Sequence, residues 1–484
     1  MNFLNRKEEW RQLDDLYKRD RGILAIAYGR RGIGKTTLVQ RWITTRHHRA
    51  IYWSAPLTSP RLQLQSFSQA IRAFETSDTL IPTAYTCASW DNAFEEILRL
   101  ADKERLVVVL DDFDHLIIAK SEFPRTLQRI WDHRLQTSNV MLFLIGSNVR
   151  AMEYDVLSYR APMYGRAWWI DFVRPRSFAD LKILLPNYSM VDRITLYACI
   201  GGVPRYLQLV DPQSTPKQNL VRVVSSLVML EDVDILLREQ FDQPHLCAAI
   251  LDSLIRWITD SKMIAQALGV EHREVSKCLK VLERAKILRW AGPATARFPD
   301  TSRLGHYHVA DQYLHFYFRC LAPIRSLLER GETKSAIAHL RVSLDEFIGA
   351  EIFPNLCREW LYRQGETLPF HPMYVGSYWG EGTEPIDIVA INHDEHGILF
   401  GKCNWSKHPT DEQEVLKLIE QAAAVVPQPA EEWHVSFGFF SRSGFTKAAQ
   451  RAVGKARCVW VNLNDLDTGL NVVARRKARR KLRF

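Results

Sequence analysis

The chain has 484 residues, 46% hydrophobic and 25% charged, with 64 basic and 55 acidic residues and a net charge of +9. That length exceeds a single core and predicts roughly two to four domains, while the composition is that of a water-soluble globular protein. No apolar run approaches the roughly 20 residues that a membrane helix needs, and the N-terminal stretch lacks the apolar core of a signal peptide.

The chain opens with Phe3-Leu4-Asn5-Arg6-Lys7-Glu8-Glu9-Trp10 and an amphipathic stretch to Leu16. A helix there leads into the first strand beside the base of a bound nucleotide. Asn5 and Arg6 are then base-side contacts, or else a helix cap and a surface arginine. Residues 23–28 are a short apolar segment suited to a buried strand, and 38–43 have helical spacing. Between them Gly29, Arg30, Arg31, Gly32, Ile33, Gly34, Lys35, Thr36 and Thr37 fit the phosphate-binding pattern G-x-x-x-x-G-K-[ST]. Strand, glycine turn and helix N-terminus gather backbone N–H groups around one anion. Lys35 is expected to reach the β- and γ-phosphates, and the Thr36 hydroxyl to ligate Mg²⁺. The chain is read as binding a nucleotide.

A strand at 49–54 and helices at 62–74 and 91–102 lead to Leu106-Val107-Val108-Val109-Leu110-Asp111-Asp112-Phe113-Asp114. An apolar strand ending in acids is the expected second half of a phosphate-loop site. Asp111 is placed to hold Mg²⁺, largely through water, and Asp112 to polarise the attacking water. The usual water-activating residue is glutamate, one methylene longer, so slow hydrolysis is expected. Asp114 either assists or faces solvent. The strand at 140–146 ends in Ser147 and Asn148, which sense the γ-phosphate and orient the water, or form a turn. Arg166, before a last strand at 167–172, is a candidate finger offered to a neighbouring subunit of a homo-oligomer, or a solvated loop residue.

Residues 174–230 lack strand patterning and read as a helical lid. Within it the glycines of Gly201-Gly202-Val203-Pro204-Arg205 end one helix, and Pro204 starts the next at a first-turn position. Arg205 then lies where it can reach back to the nucleotide. Residues 246–290 follow a winged helix-turn-helix plan. His272, Arg273, Ser276, Lys277 and Lys280 line the exposed face of its second helix, a surface for DNA, or else the module serves packing. The aromatics of 309–319 recur at helical spacing and are read as core. From 346 the pattern is helix, strands at 375–379, 384–392 and 398–405, helix 412–425, strand 433–440, helix 445–453 and strand 458–461. The last ten residues contain Arg475, Arg476, Lys477, Arg479, Arg480, Lys481 and Arg483 with no acid, which suits nucleic acid, an anionic membrane or solubility. The eight cysteines include no C-x-x-C, which argues against zinc or a disulfide framework and fits a reduced, cytoplasmic setting.

These segments together resemble the archaeal-type ATPase family, whose members join an AAA-like P-loop domain to a winged helix and a C-terminal DUF234 domain. The resemblance rests on the 3–9 start, GRRGIGKTT at 29–37, VVVLDD at 107–112, GS at 146–147 and MYGR at 163–166. It also rests on GGVPRYL at 201–207, HYHVADQYLHFYFR at 306–319 and FSRSGF at 440–445. It implies an α/β chain: a P-loop AAA-like αβα ATPase core at 1–173, a helical lid at 174–240 and a winged helix-turn-helix at 241–305. A helical connector at 306–345, a restriction-endonuclease-like α/β domain at 346–470 and a basic tail at 471–484 complete it. ATP and Mg²⁺ are the implied cofactors, and Ser147, Arg166 and Arg205 are strengthened as sensor or finger residues. Three functions follow: a DNA-associated ATPase switch, a signalling or assembly scaffold binding a protein partner through the C-terminal domain, and an ATP-gated nuclease. The family's nuclease pattern sets a glutamate after Phe in the first helix, then E-x-D and E-C-K strands. Here Pro354 follows Phe353, Asp387 remains with Glu384 nearby, and Lys402 and Asn404 stand where an acid and a lysine are expected. A nuclease fold without its metal site is expected, unless Glu381 or Glu351 restores it.

Overall fold

The computed structural model describes residues 6–76, 85–119, 122–365, 368–380, 383–454 and 456–471. Asn5, Glu381 and the basic tail fall outside them. The first sheet is built from β1 (Ile23–Tyr28), β2 (Ala50–Ser54), β3 (Leu106–Asp111), β4 (Val140–Gly146) and β5 (Trp169–Phe172) in the order β2-β3-β4-β1-β5. All pairings are parallel. Every residue of β1, β3 and β4 is buried, because these strands are covered by helices on both faces. That is why their sequences read as unbroken apolar runs rather than alternating ones. The register pairs Tyr28 with Gly146 and Ser54 with Asp111, so the carboxyl ends of four strands meet at one edge. In open α/β sheets ligands bind at that edge.

Helices Phe178–Leu184, Met190–Ile200, Pro204–Leu207, Pro216–Val224 and Leu227–Gln240 form the lid. Gly201, with φ 58°, ends the second of them, and Pro204 stands in the first turn of the third, as expected. Three more helices, Pro244–Ile255, Ser261–Leu268 and His272–Arg284, precede a two-stranded antiparallel ribbon, β6 (Leu288–Ala291) and β7 (His306–Val309). This is the arrangement expected for a winged helix, but the return strand lies in the stretch assigned to a helical connector. The ribbon loop does not stand free. The Ala294 N–H donates to the Ser377 carbonyl at 2.9 Å, and Ala294 is buried with Ile386 and Val389 of the C-terminal domain. Tyr313, Phe316 and Tyr317 are buried, as their helical spacing predicts.

The second sheet runs β12-β11-β10-β9-β8, from β8 (Tyr374–Gly380), β9 (Thr383–Asn392), β10 (Gly397–Asn404), β11 (His434–Ser441) and β12 (Arg457–Asn462). β10, β11 and β12 are parallel, whereas β9 is antiparallel to both of its neighbours. A final helix, Leu463–Asn471, was not expected from the sequence. Its Asp467 pairs with Lys182 at 2.8 Å and Arg193 at 2.9 Å, which ties this helix to the helices Phe178–Leu184 and Met190–Ile200. All eight cysteines are free thiols, and among the described residues no helix is long and apolar enough to cross a membrane.

Candidate functional site

The strand-end edge of the first sheet opens into a cleft of about 690 Å³. The phosphate loop forms its floor. Gly34, with φ 90°, caps the helix Lys35–Arg46, so Lys35 and Thr36 begin its first turn. Glycine is also required at Gly32 (φ 79°), where an added Cβ would stand 2.9 Å from the Arg205 Cβ. The Lys35 ammonium is buried and donates to the Gly29 and Arg30 carbonyls at 2.8 and 3.0 Å. Burial pushes its pKa down to about 8, against the pull of Asp111, Asp114 and Asp112. A cation held by neutral carbonyls in a dry setting is one that gains most from an arriving anion.

Three acids surround it. Asp111 accepts the Thr36 hydroxyl at 2.7 Å and also the Tyr52 hydroxyl. Burial pushes its carboxyl above the usual carboxylate range, and the two hydroxyls oppose that shift. Asp112 is held at φ 53°, a left-handed conformation uncommon outside glycine, and its carboxylate accepts the Ser54 hydroxyl at 2.7 Å. Asp114 is buried and accepts the Ser147 N–H at 2.8 Å, so it clamps the end of β4 rather than facing solvent.

The lid closes the other side. Arg205 lines the cleft, its N–H donating to the Gly32 carbonyl at 3.1 Å and its guanidinium 3.5 Å from buried Asp232. Ser147 and Asn148 line it too, and both are bolted to the lid helix Leu227–Gln240. Gln240 donates to the Ser147 carbonyl at 2.8 Å, and the Asn148 amide donates to the Glu239 carbonyl at 2.9 Å. Asn148 also caps the following turn. Arg31 pairs with Glu239 across the mouth of the cleft.

The predicted loop residues divide. Arg31, Gly32, Gly34, Lys35, Thr36 and Thr37 line the cleft, whereas Arg30 and Ile33 line a second cavity of about 740 Å³ behind the loop. The Arg30 guanidinium donates to Asp311 at 2.5 Å and to the Tyr206 hydroxyl at 2.6 Å, with Asp232 at 3.6 Å. The phosphate loop is therefore tied to the lid and to the segment after the ribbon. Arg166 lies elsewhere, in a bidentate pair with Asp132 at 2.7 Å, and does not line this chain's cleft. Arg6 is buried, donating to the Arg174 carbonyl at 3.1 Å.

Sequence reading missed Tyr52, Ser54, Asp232 and Asp311. The first two carried a signal: they alternate along β2 and end it beside β3, on one face of the sheet. Asp232 and Asp311 carried none, because each meets the loop across some two hundred or more residues of chain.

In the C-terminal domain, the Lys402 ammonium lies 3.1 Å from Asp387, whose carboxylate also accepts the Cys403 N–H at 2.9 Å. Glu384 is turned to Lys417 at 2.6 Å, and the Asn404 amide donates to both oxygens of Glu414 at 2.9 Å. Among the described residues no group of three metal-ligating side chains converges.

Residues 3–210 match a family model described as an ATPase domain predominantly from Archaea. Residues 317–417 match DUF234, archaeal and bacterial proteins of unknown function. An uncharacterized protein of Methanocaldococcus jannaschii is 27% identical over 407 residues, covering 83% of this chain and 87% of its own. Among solved structures, a Walker-type ATPase of Pyrococcus abyssi is similar with a TM-score of 0.51 at 17% identity, covering 66% of this chain and 96% of that one. Cdc6p of Pyrobaculum aerophilum matches more distantly, with a TM-score of 0.32 at 15% identity, covering 68% and 96%. The chain thus carries an ATPase domain of the predominantly archaeal P-loop family, joined to a DUF234 region.

Proposed function

We propose that the protein is a Mg²⁺-dependent ATPase that works as a nucleotide-controlled switch. The observation that carries this reading is the convergence on one cleft of Lys35, the Thr36–Asp111 pair, Asp112 and the lid residue Arg205. The donor set suits the metal, since a hydroxyl and a carboxylate 2.7 Å apart are hard oxygen ligands. Thr36 and Asp111 would hold Mg²⁺, which supplies neutralising charge at the phosphates. Lys35 leaves its carbonyl partners for the phosphates, and the loop N–H groups cradle them. Asp112 orients the attacking water and takes up its proton once it is released from Ser54. Arg205 approaches the terminal phosphate from the lid. Switching is supported by the ties from Arg30 and Arg31 to Asp232, Asp311 and Glu239, which any motion of the loop must strain.

Phosphate release by the purified protein tests this reading. Turnover is expected with Mg²⁺ and none with a chelator. Asp112→Asn should keep ATP binding and lose turnover by about 10²-fold or more, the range for removal of a positioned base. Equal turnover in the chelated sample or in Asp112→Asn contradicts it.

DNA association is the favoured partner reading, because His272, Arg273, Lys277 and Lys280 are exposed on one helix; Glu271 and Glu274 are exposed beside them, and the packed ribbon loop favours the packing alternative. Binding would then use that helix and the tail at 475–483. DNA affinity should fall steeply with salt, and deleting the tail should flatten the slope of log K against log salt. An unchanged slope removes the tail from the interface, and absence of binding favours a protein partner.

A further inference from the structure

The ribbon, the helix Phe353–Arg363 and β8 border a cavity of about 670 Å³; no residue that lines it also lines the phosphate-loop cleft, and it shares Tyr197, Ala310, Gln312 and Glu359 with the cavity behind the loop. Its volume is in the roughly 300–1,000 Å³ range of small-molecule sites. Charge in it is unbalanced. The side chain of Arg289, from β6, makes no hydrogen bond or ion pair among the described residues. Arg358 donates to the Asp387 carbonyl at 3.0 Å and the Asn355 side-chain oxygen at 2.9 Å, neither of which is charged. Arg363 is already matched by Glu359. Glu351 lines the same space as Arg289 and Arg358, without an ion-pair partner among the described residues.

Two guanidiniums lining one cavity repel each other; Arg289 is exposed within it and Arg358 is half-buried. Burial lowers the Arg289 pKa, with Arg358 adding to the effect, and pushes the Glu351 carboxyl up. His308 is held neutral, its pKa pushed down to about 3 by burial and by neighbouring cations, and its Nε2 is buried without a hydrogen bond. Such a space gains stability when a phosphate enters, since the planar guanidinium matches two phosphate oxygens at once. The walls also carry aromatic rings, Tyr374 and Trp379. Trp379 is fixed by donating to the Leu304 carbonyl at 3.2 Å and by packing on His306 at 4.3 Å.

We propose that this cavity is a second ligand site, distinct from the phosphate loop, that takes a purine mononucleotide. Arg289 and Arg358 hold its phosphate, Glu351 accepts from the N–H edge of the ring, and the aromatic wall covers a ring face. The site straddles the ribbon and the C-terminal domain, so an occupant fastens those two parts together.

Calorimetric titration with GMP tests this on full-length Lys35→Ala protein, in which the phosphate loop is disabled. Saturable one-to-one binding is expected, weakened at least tenfold by adding Arg289→Gln, and guanosine should bind at least tenfold more weakly than GMP. The Arg289 side chain has no bond to lose, so its variant should fold, and a melting curve checks this. Arg358→Gln supplies a second reading. The proposal is overturned if GMP shows no saturable binding, if binding survives both arginine changes, if guanosine binds as well as GMP, or if the Lys35→Ala change itself removes the GMP binding seen in wild type.

Discussion

Lys35 is a buried and Lys402 a part-buried lysine, each beside a strand aspartate, and the protein treats them in opposite ways. Lys35 donates to two carbonyls of its own loop, while Asp111 and Asp112 are occupied by hydroxyls. Lys402 lies directly on Asp387 at 3.1 Å. Burial lowers the Lys35 pKa to about 8, whereas at Lys402 the charge and hydrogen bond of Asp387 outweigh burial and raise it. The difference separates an open electrostatic arrangement from a closed one. Where cation and carboxylates are held apart by neutral groups, both remain available to a phosphate and a metal. Where they neutralise each other, a divalent cation must first displace an ammonium.

The largest expected contrast is in chemistry. No DNA cleavage should occur with Mg²⁺ or Mn²⁺, with or without ATP, while the same preparation hydrolyses ATP. Cleavage that disappears in Asp387→Ala would break the comparison.

A smaller effect concerns pH. The folded pKa of Lys35 lies below that of the unfolded chain, so between pH 8 and about 10.4 the unfolded state binds more protons, and this group's contribution to stability rises with pH. The raised pKa of Lys402 gives the opposite sign: its contribution is fully present below the unfolded value and is lost only as pH rises through the folded one. Denaturant melts of wild type, Lys35→Met and Lys402→Met between pH 7 and 10 read both. The wild-type-minus-Lys35→Met difference should rise by about 2 kcal/mol. The corresponding Lys402 difference should stay flat. A flat Lys35 difference would place its pKa near the ordinary value and remove the contrast.

What the sequence made legible follows the range of the interactions. The phosphate loop, the acid-ended strand and most of the order of strands and helices are written in contiguous residues, whereas β7 and the helix Leu463–Asn471 were not read. Of the two alternatives for Asp114 the solvent-facing one falls, and its helical neighbours give no hint that it folds under the Ser147 N–H. The docking of Ala294 against β8 and of Asp467 against the lid depend on tertiary contacts that no local pattern encodes. The tie from Arg30 to Asp311 is of the same kind, and it links the phosphate loop to the segment after the ribbon.

The central claim, that Lys35 is a cation awaiting phosphate, is tested most directly by ATP binding. Equilibrium binding of ATP with Mg²⁺ should be readily measured for wild type and reduced at least about 100-fold in Lys35→Ala, as expected for loss of a charge-assisted contact at a desolvated site. Lys35→Ala protein that binds and hydrolyses ATP like wild type would contradict the account.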